Sequence, residues 1–233
     1  MQKSLHEKKN IIDARAIVKS FTDGAAVASV LKGIDFFVQE GEFVAVMGRS
    51  GAGKSTLLYQ LSLLDTPTEG ELYIEGKHIG ELSDAEKTEF RLYKLGYVFQ
   101  DYSLLPELTA LENSMVPLLM QGYSYDDAER KSMRALTQVE LGGRENNLPS
   151  ELSGGEQQRV SIARAITHSP KILFADEPTA NLDLTSSLLV MDIFKKLNKE
   201  QGITIVMVTH EEDYGKMADR IVRLSDGQVV DGK

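Results

Sequence analysis

Val44-Ala45-Val46-Met47-Gly48-Arg49-Ser50-Gly51-Ala52-Gly53-Lys54-Ser55-Thr56 is an apolar run that breaks into glycine and closes on a lysine and two hydroxyls. Consecutive apolar residues without polar alternation match a strand buried on both faces, as in a parallel sheet. The apolar stretch Leu57 to Leu64 that follows reads as a helix. Between strand and helix, Gly48 to Ser55 fits the G-x4-G-K-[S/T] phosphate loop in the context that loop requires. Its glycines let backbone N–H groups wrap a phosphate chain. Lys54 is placed to reach the β- and γ-phosphates, and the Ser55 hydroxyl to ligate Mg²⁺. A glycine-rich turn that binds nothing is the bland alternative, and the Lys54-Ser55 pair argues against it.

Working outward, the pattern keeps producing strands. Upstream, Ile11 to Glu40 is strand-like, and Met1 to Asn10 is a charged, flexible tail. Downstream, Thr66-Pro67-Thr68-Glu69-Gly70 is turn chemistry leading into the alternating Glu71 to Gly76. Two further buried-strand runs, Ile172 to Ala175 and Ile203 to Val208, are separated by a helical pattern from Ser186 to Glu200. Strands alternating with helices argue a parallel α/β sheet. The tail carries Ser225-Asp226-Gly227-Gln228, the Asp-Gly turn of a β-hairpin. In between, Leu111 to Met120, Tyr125 to Leu141 and Glu156 to Ile166 read as helices. The expected organisation is therefore one domain over 1–233, with a sheet core from 11–100 and 167–233 and a helical subdomain, 101–166, inserted into it.

Other elements carry chemistry at a distance from the loop. Leu152-Ser153-Gly154-Gly155-Glu156-Gln157-Gln158 places two glycines before a helix, where backbone can approach a ligand and the positive end of the helix dipole attracts anions. Ser153 adds a hydroxyl. This is a second anion site, and one nucleotide does not obviously need both. Asp176 and Glu177 follow a buried strand, at the sheet edge where ligands collect. There Asp176 can hold Mg²⁺ through water, and Glu177 can orient or deprotonate an attacking water. His210 closes another strand at that edge, within reach of a γ-phosphate. Gln100 ends the strand-like Gly96 to Phe99 and offers an amide to Mg²⁺ or to the water. Phe21 is a candidate for stacking on a base, although a single aromatic in a β-rich segment is more often core. Tyr73 and Phe37 compete with it.

Composition narrows the partners. The chain has 233 residues, with 26 Lys and Arg against 35 Asp and Glu, a formal charge of -9. Nucleic-acid binding needs clustered positive charge, so it is not expected. There is no cysteine, which excludes disulfides and thiolate metal sites. No apolar run approaches the ~18 residues of a membrane span, and the first residues lack the apolar core of a secretion signal. Work at a membrane would go through a partner.

Taken in order, the phosphate loop, Gln100, Leu152 to Glu156, Asp176-Glu177 and His210 resemble the nucleotide-binding subunit of ATP-binding cassette (ABC) transporters. Thr66 to Gly70, Leu104-Leu105-Pro106 with Thr109 to Asn113, and Ala180 to Asp183 are similar to the subgroup of lipoprotein-releasing and macrolide-exporting ATPases. The resemblance implies a phosphate-loop core with a mixed sheet, an N-terminal antiparallel β part and the inserted helical subdomain. It also implies ATP and Mg²⁺ as ligands, and a head-to-tail homodimer with two ATP molecules at its interface. Each ATP would lie between one subunit's Gly48 to Thr56 and the other's Ser153-Gly154-Gly155. By the same resemblance Phe21 stacks on adenine, Gln100 faces a transmembrane permease, Glu177 is the general base, Asp183 lies in the loop crossing the interface, and His210 is the switch histidine. The implied location is peripheral, at the cytoplasmic face of the cell membrane, with the isolated chain soluble. A signalling or scaffold role at a membrane complex is the alternative, because it would use the same ATP cycle. A soluble cassette acting on ribosomes or DNA fits less well, since such proteins join two cassettes or carry basic arms.

Overall fold

Residues 10–23 and 26–231 are described by the structure, a computed structural model. Two sheets organise the chain. The N-terminal strands β1 (Asn10–Asp23) and β2 (Ala26–Gln39) pair antiparallel. They join β4 (Glu69–Ile74) and β5 (Lys77–His78) in a four-stranded antiparallel sheet of order β2-β1-β4-β5. The second sheet has six strands in the order β10-β9-β3-β8-β7-β6. These are β3 (Phe43–Met47), β6 (Leu95–Val98), β7 (Ile172–Asp176), β8 (Thr204–Val208), β9 (Arg220–Ser225) and β10 (Gln228–Asp231). All pairs are parallel except β9 with β10. The sheet is therefore mixed, with its one antiparallel strand at the edge.

Helices cover that sheet. In chain order they are α1 (Lys54–Leu61), α2 (Asp84–Lys94), α3 (Ala110–Met120), α4 (Tyr125–Gln138), α5 (Gly154–Ile166), α6 (Leu184–Gln201) and the short α7 (Glu212–Gly215). Successive residues of a strand face opposite ways, and β3 and β7 use that to build two cores. Val44, Val46, Ile172 and Phe174 pack with α1 and the antiparallel sheet. Phe43, Ala45, Leu173 and Ala175 pack with α3 to α6. Every residue of β3, β7 and β8 is buried, as the unbroken apolar runs predict. Fully burying a side chain such as Phe174 is worth about 1.5–3 kcal/mol.

Several boundaries differ from the sequence reading. Residues 1–9 lie outside the described residues, but Asn10, expected in the tail, opens β1 opposite Gln39. The helix expected to reach Leu64 stops at Leu61, because Leu63 turns left-handed at φ 62. Helix α2 was not anticipated. Its signal was present as the capping box Ser83-x-x-Glu86, in which each residue satisfies the other's backbone N–H. The charged, weakly apolar face beyond it, with only Phe90 buried, hid the helical period.

Candidate active site

Parallel pairing brings the chemistry to one sheet edge. Val46 is level with Val208, and Asp176 with Val208 in turn, so the segments leaving β3, β7 and β8 emerge side by side. Gly53 caps α1 with a left-handed φ of 96, and a Cβ there would stand 2.9 Å from Leu31 Cδ2. Only glycine meets both demands. The β9–β10 turn then buttresses the loop, as the Gly227 N–H donates to the Ala52 carbonyl at 3.2 Å. The sequence gives the hairpin but not this support.

A cleft of about 550 Å³ opens at this edge, lined by Met47, Gly48, Arg49, Ser50, Lys54, Glu177, His210, Glu212 and Arg223. Lys54 is buried, with its ammonium 3.3 Å from the Arg49 carbonyl and 3.8 Å from Glu177 Oε1. The other oxygen of Glu177 lies 3.1 Å from His210 Nδ1. Glu177 has a left-handed φ of 43 directly before Pro178, a strained conformation of a kind that clusters at functional sites. Its N–H is fixed on the Val208 carbonyl, and buried Gln158 of α5 holds the next carbonyl, that of Pro178, at 2.9 Å. The carboxylate is thus rigidly presented between a lysine and a histidine.

Beside the cleft, the Ser55 hydroxyl donates to Asp176 Oδ1 at 3.0 Å. Burial pushes the Asp176 carboxyl above its ordinary range and the neighbouring charge of Glu177 adds to this, while Ser55 and Lys54 pull the other way. The Tyr97 phenol is driven up by its own burial and by the charge of Asp176. A buried carboxylate that is disfavoured as an anion gains from a cation. Ser55 and Asp176 supply hard oxygen donors of the kind Mg²⁺ takes when substrate phosphates and water complete its shell. Among the described residues no cluster of three or more His, Cys, Asp or Glu could hold a metal by itself.

The remaining predicted residues lie elsewhere. Ser153 is the N-cap of α5, its hydroxyl donating to Glu156 Oε2 at 2.9 Å and accepting from the Glu156 N–H at 3.3 Å. The Ser153 hydroxyl, expected to add a donor at the second anion site, makes both of these bonds within its own chain. Gly155 lies against α6, since a Cβ there would stand 2.5 Å from Ser186 Oγ. Asp183 caps α6 through the Ser186 N–H and hydroxyl, which hold its carboxyl below the ordinary range. Ser153, Gly154, Gly155 and Asp183 therefore share one surface at the starts of α5 and α6, and none lines the cleft. Gln100 is exposed and its carbonyl accepts from Asn181 Nδ2. Phe21 is 48% exposed near the end of β1, with Lys19 Nζ 5.1 Å from its ring centre, and it does not line the cleft either. Two lining residues escaped the sequence reading. Arg223 and Glu212 form a bidentate pair at 2.8 and 3.1 Å, and no motif marks them.

A phosphate loop, a serine bonded to a buried aspartate and a strained glutamate at one sheet edge define a nucleotide hydrolase of the phosphate-loop class. Comparison with known proteins narrows the class. The family model described as ABC transporter matches residues 31–180. An uncharacterised ABC transporter ATP-binding protein of Methanocaldococcus jannaschii is 47% identical over 95% of this chain and 98% of its own. The lipoprotein-releasing system ATP-binding protein LolD of Aquifex aeolicus is 51% identical over 86% of this chain and 89% of its own. The macrolide export ATP-binding/permease protein MacB of Bdellovibrio bacteriovorus is 44% identical over 94% of this chain, which spans only 33% of that longer protein. Among solved structures, a dimeric post-hydrolysis state of the ATP-binding cassette MJ0796, bound to ADP and Pi, superposes with a TM-score of 0.89 at 40% identity, covering 95% of this chain and 97% of that one. The chain belongs to the ABC transporter family, as an ATP-binding cassette and ATPase with the mixed sheet, antiparallel β part and helical part of that fold.

Proposed function

We propose that this cassette hydrolyses ATP as a head-to-tail homodimer and so powers a membrane permease complex that exports or extracts a lipophilic substrate or a lipoprotein. The observation carrying the reading is the separation of two half-sites on one chain. The Gly48 to Thr56 loop, with Glu177 and His210, opens into one cleft, whereas Ser153-Gly154-Gly155 and Asp183 lie at the starts of α5 and α6 and do not line that cleft in the same copy. A second copy turned head to tail would unite them. The dimeric cassette with ADP and Pi, and the transporter components among the relatives, support this arrangement.

In the reading proposed here, loop amides and Lys54 grip the phosphates, and Ser55 with Asp176 holds Mg²⁺, with Gln100 a further candidate ligand. Bound Mg²⁺ would supply charge neutralisation at the phosphoryl oxygens. Glu177 receives the proton of the attacking water, and His210 steadies the Glu177 carboxylate from its far side. For the permease, a groove of about 380 Å³ between α2, α3 and α5 supports a docking role, with Leu64, Leu92, Pro117 and Met120 on its walls. It adjoins the 101–166 helical segment and the loop after Gln100. The proposed place is peripheral, on the permease's cytoplasmic side, a reading supported by the transporter components among the relatives; no helix among the described residues is long and apolar enough to cross a membrane.

The test is Glu177→Gln. ATP affinity should stay within about 3-fold, turnover should fall roughly 100-fold or more, and a nucleotide-dependent dimer should accumulate in size-exclusion chromatography. Turnover at the wild-type rate would remove Glu177 from the mechanism.

A further inference from the structure

The loop leaving β6 is bound to α5 at both ends of that helix. Tyr102 and Ser103 are consecutive non-glycine residues in the left-handed region, at φ 63 and φ 48, a conformation such residues hold only when their surroundings impose it. Alongside the Ser103 N–H, which donates to the Asp101 carbonyl at 2.7 Å, the turn is held by Arg164, in the last turn of α5. Its guanidinium donates through Nη1 to the Ser103 carbonyl and through Nη2 to the Tyr102 carbonyl, the latter at 2.9 Å. Partial burial lowers the Arg164 pKa against the pull of Asp101, and the two carbonyls accept from the guanidinium in place of water. A lysine offers no such planar fork.

The strapped turn aims Tyr102 at the other end of the same helix. Its hydroxyl stands 3.0 Å from where a Cβ on Gly154 would lie, so the phenol oxygen occupies the space beside the glycine that opens α5. One residue before the turn pair, the Asp101 carboxylate accepts from the Ser103 hydroxyl at 2.7 Å and tightens the same loop. Meanwhile the Gln100 carbonyl is held by Asn181, in the loop leading to Asp183. Arg164 also lines the groove between α2, α3 and α5.

We infer that Arg164 is a positioning residue for the Ser153-Gly154-Gly155 half-site, acting by forcing Tyr102 and Ser103 into the left-handed turn that seats Tyr102 on Gly154. The inference rests on the proposed homodimer only for its effect on turnover; the strap itself is a property of one copy.

Two measurements test it. In the first, hydrogen exchange on nucleotide-free wild type is compared with Arg164→Lys. Exchange should quicken together at amides 101–105 and at Glu156 and Gln157, and quickening confined to 101–105 would overturn the link to α5. In the second, Arg164→Lys is placed in the Glu177→Gln background. Monomer affinity for ATP should hold within 2-fold of the parent while ATP-driven dimerisation weakens by about 10-fold. Adding Ser103→Gly should recover most of that loss, because glycine enters the left-handed region without the strap. A merely structural role of Arg164 in packing α5 would not respond to a change at Ser103, so absence of rescue overturns the proposal. Failure of the Glu177→Gln parent to dimerise would count against the homodimer, and the exchange result would still decide the strap.

Discussion

At the scale of single residues, the site trades stability for affinity. Asp176 is 5% exposed, and burial raises its pKa above the unfolded value. A carboxyl shifted that way is a cost to the fold once ionised. Stability is lost as pH climbs from the unfolded value through the raised one. Asp176→Asn keeps an acceptor for the Ser55 hydroxyl and removes the charge. The nucleotide-free variant should melt higher at pH 7, by roughly 2–4 °C if about 1 kcal/mol is recovered, while ATPase activity falls by about 100-fold or more. A lower melting temperature than wild type would show that Asp176 is stabilised, not strained, in the free protein. The legible residues here are those with a chemical signature in the chain: glycines before Lys54-Ser55, and paired carboxylates after a buried strand. Arg223 and Glu212 have none, because any charged residues spaced like them are usually a solvated surface. Only the pairing of β9 with β3 brings Arg223 level with Met47 at the cleft, where it meets Glu212 of α7.

Among the elements, α5 concentrates the most function, and its two ends are separately testable. At the start, Ser153 both caps the helix and carries the proposed contact to ATP in the other copy. Ser153→Ala confounds these roles, since losing an N-cap hydroxyl costs about 0.5–2 kcal/mol by itself, whereas glycine at an N-cap costs only a few tenths. Ser153→Gly should therefore leave thermal stability nearly unchanged and still cut turnover by about 10-fold or more; unchanged turnover in that variant would reduce Ser153 to a cap. Just past the other end, His168 donates from Nε2 to the Leu95 carbonyl at 3.0 Å, and its buried Nδ1 has no partner. Burial lowers its pKa, so the folded chain keeps it neutral while the unfolded chain protonates below about pH 6.5. Stability contributed by the neutral form is present above that pH and lost as pH falls from it. His168→Gln should flatten the fall in melting temperature below about pH 6.5, and a pH profile parallel to wild type would assign the acid sensitivity to other groups. Helices α3, α4 and α6 were legible as helical patterns, although Thr109, Ser124 and Asp183 were not read as their caps. Helix α2 was not legible, because its exposed face outweighs one buried Phe90. The glycines of α5 were read as room for a ligand; the structure adds that Gly155 makes room for Ser186 and Gly154 for Tyr102.

For the whole molecule, the question is whether the two anion-attracting surfaces serve one copy or two. Sequence spacing could reveal that both exist but not how they face, because facing depends on strand order across the six-stranded sheet, and strand order is not written in any local pattern. Mixing inactive variants answers it. Lys54→Ala destroys the phosphate loop of a copy but leaves its Ser153-Gly154-Gly155 surface, and Ser153→Gly does the reverse. In a head-to-tail dimer, a mixed pair has one composite site with both defects and one with neither. Equal mixing gives mixed pairs as about half of all dimers, so activity should return toward about a quarter of the wild-type level when the two sites fire independently, and to a lower level when each needs the other. It should also depend on total protein as a second-order process at low concentration, because the active species must first assemble. Two surfaces acting within one copy predict that mixing restores nothing and that rate stays proportional to protein throughout. Recovery above both parents, lost again on dilution, is the outcome that the separated half-sites of this fold require.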